Sequence, residues 1–139
     1  MKIIGDIMVS DVISVNDTDT VHHARMILKD KNIRHLPVID RQSGGFLGLL
    51  AQGSLLNHAF NMVEKYGMTG LQKREQRTQV SEIMDRGCET ATPEMPLIQV
   101  GELFTDKKLS CLPVLEGGQL KGIVTSVDFV KLVLHLLKE

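Results

Sequence analysis

Thr125, Ser126 and Asp128 follow directly on the apolar run Leu120–Val124, where a helical spacing of apolar residues begins. A carboxylate offers two acceptor oxygens, which suit a pair of neighbouring hydroxyls. Hydroxyls beside the free N–H groups of a helix start suit an anion. The same aspartate also fits a plainer role, since an acid in the first helical turn caps the helix and favours its dipole. Arg34 and His35 form a second cluster, between a helical pattern and a short apolar run, and their cationic groups suit phosphate.

Other chemistries find no constellation. His22 and His23 are adjacent and point in different directions on a helix, while His35, His58 and His135 are scattered, so no pair has the i, i+4 spacing of a helical metal site. Cys88 and Cys111 lack a second close cysteine or histidine, which argues against zinc, and both read as reduced thiols. No nucleophile elbow surrounds Cys111 and no Gly-Lys-Ser phosphate loop occurs, so the reading is of a chain that is not an enzyme. Lys73, Arg74 and Arg77 are a small basic cluster without interleaved aromatics, read as a solvated linker with Tyr66 standing apart.

The totals agree with a binding module. With 42% apolar and 24% charged residues, the 139-residue chain has the composition of an ordinary globular protein. A net charge of -1 supplies no field for nucleic acid, and no apolar run approaches the roughly 20 residues that span a bilayer. Nothing near the start reads as a secretory leader, so a cytoplasmic location is expected.

The elements that position these residues come in duplicate. Ile7 and Met8 recur as Ile83 and Met84, and Leu36, Pro37 and Val38 as Leu112, Pro113 and Val114, at a shift of 76. From Gly48 and Gly122 onward the shift is 74, because the turn Arg41–Gly45 shrinks to Gly117–Gly118. Each copy shows an amphipathic helix (Val21, Ala24, Ile27 and Leu28; Leu97, Val100, Leu103 and Phe104), a strand-turn-strand pattern and a second helix. Asp19 is placed to cap the first helix, and Pro96 falls at the start of its counterpart. Val12–Val15 and Cys88–Ala91 could each add a strand. Pro37 and Pro113 cannot donate to a ladder, so their strands are expected at sheet edges or turned toward a groove. The expected organisation is a first repeat over residues 1–63, a polar and partly helical linker over 64–79, and a second repeat over 80–139.

A tandem of units with an Ile-Met start, a Leu-Pro-Val strand and a Gly-apolar-apolar-Thr-x-x-Asp end resembles the cystathionine β-synthase (CBS) domain pair, or Bateman module, in its stand-alone form. The resemblance spans nearly the whole chain, and Gly122–Asp128 is its most specific segment. It implies an α/β (α+β) fold of two pseudo-symmetric β-α-β-β-α units packed sheet to sheet, with clefts for adenine nucleotides or S-adenosylmethionine as regulatory ligand and no obligatory cofactor. It implies that Asp128 takes the ribose hydroxyls, that Thr125 and Ser126 meet phosphate, and that Val12 and Ile13 with Pro113 and Val124 hold the base. Arg34 and His35 face the same groove by the same resemblance, their positive charge holding phosphates. The first copy has Ala51 and Ser54 where the second has Thr125 and Asp128, and the second has Ser110 and Cys111 for Arg34 and His35, so one complete site is expected. A disc-like homodimer and an effector protein are the implied partners, the apolar stretch Phe129–Leu137 being part of the dimer contact. The rival reading is a ligand-free interaction module that acts through homodimerisation.

Overall fold

The computed structural model describes residues 2–138. Their order is β1 (Val15–Asn16), α1 (Val21–Asp30), β2 (His35–Ile39), β3 (Phe46–Ala51), α2 (Gln52–Tyr66), α3 (Leu71–Glu75), α4 (Leu97–Asp106), β4 (Cys111–Glu116), β5 (Gln119–Thr125) and α5 (Ser126–Leu137). This mixed architecture, repeated twice, is the expected fold class. Two compact units result: Met1–Val12 with Glu89–Glu139 (unit 1), and Ile13–Cys88 (unit 2).

The unit boundaries cut across the repeats, because each leading segment docks on the strands and helices of the other copy. In unit 1, Val9 and Ile123 exchange backbone hydrogen bonds of 2.9 and 3.0 Å, and Ile4 N–H donates to Met95 O. In unit 2, Asp85 and Leu49 exchange bonds of 2.9 Å each, and Val80 N–H donates to Asp19 O. The two sets follow the same register, offset by the repeat shifts. Glycine makes the approach possible. A Cβ on Gly48 would lie 2.7 Å from Asp85 O, and one on Gly122 would lie 2.6 Å from Met8 Sδ and 3.0 Å from Val9 O. The recurring Ile-Met start and the recurring Gly-apolar-apolar strand are therefore two sides of one contact.

Unit 2 holds a three-stranded sheet in the order β1-β2-β3, with β1 parallel and β3 antiparallel to β2. Pro37 is thus on the central strand and not on an edge. It is tolerated because β1 pairs only with Val38 and Ile39, leaving no ladder bond for the missing N–H to complete. The core gathers Val21, Ala24, Leu28, Leu36, Val38, Leu50, Leu55 and Val80. Thr20, and not Asp19, caps α1, its Oγ1 accepting from His23 N–H at 3.0 Å, while Asp19 accepts from Asn16 N–H. The linker region is mostly ordered: α2 runs on to Tyr66 and α3 follows. Glu75 on α3 is buried and takes both Arg25 Nε (2.8 Å) and Nη2 (2.7 Å), tying α3 to α1. Arg25 remains 37% exposed in its side chain, so losing the pair costs less than the roughly 3–5 kcal/mol of a fully buried one. The Arg74 guanidinium lies 3.2 Å from the Tyr66 ring centroid, so the fold gives the basic cluster the aromatic partner that chain order denied it.

In unit 1, β4 and β5 pair antiparallel, and Ala91 adds an isolated parallel bridge to Val114 where a longer strand was expected. Ile4, Ala91, Val100, Phe104, Leu112, Val114 and Val124 form the core. The position of Arg25 is taken here by Gly101, and the Phe129 ring approaches within 3.7 Å of where its Cβ would be. Phe129 also meets Phe104 edge to face, with centroids 5.4 Å apart, at the places that Leu55 and Leu28 hold in the first copy. Pro96 is the residue immediately before α4. Of the two cysteines, Cys111 is buried and Cys88 half-buried.

Candidate functional site

The residues singled out near the end of the chain converge at the junction of β5 and α5. Thr125 ends β5 in an extended conformation, φ -120° and ψ 167°, and is the N-cap of α5. The Asp128 side chain turns back on it. Asp128 Oδ2 accepts from Thr125 N–H at 2.8 Å and lies 3.3 Å from Thr125 Oγ1, closing a reciprocal capping box. The plainer role is therefore real, and it orients the carboxylate: Oδ2 is held, while Oδ1 makes no hydrogen bond among the described residues. Ser126 is exposed at the first helical position, and its N–H donates to Ser110 O at 3.3 Å.

Pro113 and Val124 lie on adjacent strands, yet they do not make an open slot. Val124 pairs with Leu112, and its side chain is fully buried in the core of unit 1; Pro113 is buried opposite Ile123. Strand alternation turns Ile123 and Thr125 away from that core, so Val124 offers a ligand only its backbone. Val12 is half-buried at the end of the leading segment of unit 1.

Ile13, Arg34 and His35 belong to unit 2. Ile13 is 39% exposed, and Arg34 is exposed with its carbonyl accepting from Gln52 N–H at 2.9 Å. His35, half-buried on β2 opposite Ala51, is held below the ordinary histidine range by burial and then by the neighbouring Arg34 charge. It is neutral at pH 7, so Arg34 alone supplies the positive charge that both were expected to share. In the first copy Ala51 is the N-cap of α2 and makes no side-chain cap bond, with Ser54 in the first turn.

An open depression of about 190 Å³ adjoins Asp128 in unit 1, lined also by Ile7, Lys131, Leu132 and His135. Lys131 and His135 were not picked out in the sequence, although Asp128, Lys131 and His135 recur at i, i+3 and i+7 on one helix face. Among the described residues no group of three acidic, histidine or cysteine side chains could hold a metal ion. No described helix is long and apolar enough to cross a membrane.

Comparison with known proteins follows the same division into repeats. The chain is 26% identical over 128 residues to the CBS domain-containing protein YhcV of Bacillus subtilis, covering 92% of this chain and 83% of that one. It is 27% identical over 136 residues to a Methanocaldococcus jannaschii protein, of whose length it spans only 32%. Among solved structures, CBSX2 in complex with AMP superposes with a TM-score of 0.81 at 25% identity, covering 98% of both chains. The family model for the CBS domain matches twice, over residues 4–61 and 80–135, and the chain belongs to that family.

Proposed function

We propose that this protein is a non-catalytic regulatory module that binds an adenine nucleotide or adenosyl compound and reports its level. The observation that carries this reading is the Asp128 carboxylate, fixed through Oδ2 by Thr125 N–H at 2.8 Å and left with acceptor capacity at the start of α5. A carboxylate so placed takes ribose hydroxyls through charge-assisted bonds without first losing its own rotamer freedom. Family membership and the likeness to CBSX2, solved with AMP, support it. Thr125 and Ser126 lie toward the phosphate end.

Signalling follows from differential affinity, since a ligand moves an equilibrium only by the difference in its binding to the two states. The reader of that change is a second copy or an effector protein in the cytoplasm. Val127, Val130, Val133, Leu134, Leu136 and Leu137 on α5 are each about half exposed or more, an apolar face suited to a homodimer. The same face favours a second reading, an assembly module without ligand.

Thermal unfolding with AMP, ATP or S-adenosylmethionine separates the two. A ligand at 100 times its Kd adds about 2.7 kcal/mol to stability. No shift with any of the three would overturn the sensor reading in favour of assembly alone.

A further inference from the structure

The duplicated chain contains its own control for the outer face of α5. In unit 2 the short helix α3 packs against both α1 and α2, and there Ala59, Met62 and Val63 of α2 are half-buried. At the 74-residue shift these three correspond to Val133, Leu136 and Leu137 of α5, which are 53%, 53% and 75% exposed. Positions that lie half-buried beside α3 in one copy are therefore bare and apolar in the other. A single exposed leucine means little, whereas a contiguous apolar set marks a contact. The anchor differs as well. Arg25 holds α3 through the buried carboxylate of Glu75, but Gly101 stands in its place in unit 1, with Ile98 77% exposed one turn earlier. An acidic helix of the α3 kind would lose the partner of its carboxylate here, so an apolar occupant fits better. The helix α5 itself meets that requirement. Its titratable groups, Asp128, Lys131 and His135, share one stripe at i, i+3 and i+7, which leaves the side that carries Val130, Val133 and Leu137 without charge. A two-fold contact sets a face against itself, and an uncharged face meets no like charge there. On α2, by contrast, the exposed Leu56 and Phe60 are interspersed with the exposed Asn57, Asn61 and Glu64.

We propose that a second copy of this chain covers this face, α5 packing on α5 about a two-fold axis, so that the homodimer closes through unit 1 alone while α3 already shields the matching face of unit 2. The proposal rests on the homodimer reading above and narrows it, because the disc expected from the sequence would draw on the helices of both copies. Duplication thus gives two like faces, one satisfied within the chain and the other between chains.

Sedimentation equilibrium on the full chain at micromolar concentration tests it. The unsubstituted protein is expected as a dimer. Val133→Glu and Val133→Lys, both at an exposed position, are each expected to dissociate, with the dimer constant weakened about tenfold or more by like charges facing each other. Their equimolar mixture should return to the dimer mass, since opposite charges then meet, and that recovery shows both variants folded. Leu56→Glu combined with Phe60→Glu on α2 should remain dimeric. A dimer that survives both Val133 substitutions, a mixture that stays monomeric, or a dimer lost in the α2 variant would overturn the one-sided contact and leave the homodimer reading standing. A monomeric unsubstituted protein would overturn both and leave the face to a different partner.

Discussion

Removing the Asp128 side chain perturbs two properties that different substitutions can separate. Asp128→Ala deletes the acceptor for Thr125 N–H at 2.8 Å, a helix-capping bond worth about 1 kcal/mol. Because α5 has no buried residue among those described, little other burial masks the loss. In a chain of 139 residues about 1 kcal/mol lowers the melting temperature by roughly 3–5 °C. Asp128→Asn keeps a carbonyl oxygen that caps equally well, but it loses the charge and turns half of the group into a donor. Loss of the charge at the helix start costs about 0.3–1 kcal/mol of dipole interaction, so its melting temperature should fall less than that of Asp128→Ala, by roughly 1–4 °C. Both variants lose the charge-assisted bonds to a ribose diol, at roughly 1.5–3 kcal/mol per bond, so AMP affinity should fall at least tenfold in each. Scanning calorimetry without ligand and titration with AMP read the two effects separately. Asp128→Ala melting with the unsubstituted protein would refute the capping role, and Asp128→Asn binding AMP at full affinity would refute the acceptor role.

Further predictions concern packing and protonation. Gly48→Ala should destabilise unit 2 by about 1–3 kcal/mol in urea unfolding, because its Cβ meets the Asp85 carbonyl at 2.7 Å and the backbone must move. Gly122→Ala should be partly rescued by Met8→Ala, since its nearest obstacle is the flexible Met8 side chain at 2.6 Å. The His35 pKa lies lower in the folded than in the unfolded chain, so below about pH 6.5 the unfolded state binds the extra proton and stability falls as pH drops. His35→Gln should flatten that acid limb in denaturation curves measured between about pH 7 and 5, and an unchanged slope would remove His35 as its source.

The duplication, the element order and the segment that carries the acceptor are legible in the order of residues alone. Those features are local: helical and strand periodicity, turn glycines and a Gly-apolar-apolar-Thr-x-x-Asp run are each written within a few residues. The folded path of the chain sets which copy each leading segment completes, since Val9 pairs with Ile123 and Leu49 with Asp85 across long stretches of chain that periodicity does not link. It put Pro37 on a central strand, turned Val124 into the core, and brought Arg25 to Glu75 and Arg74 to Tyr66. It also left His35 neutral, because desolvation depends on what surrounds a side chain and not on its neighbours in sequence. A pattern of residue types reports which face of an element is apolar, whereas the partner that covers that face is set by the three-dimensional path of the chain.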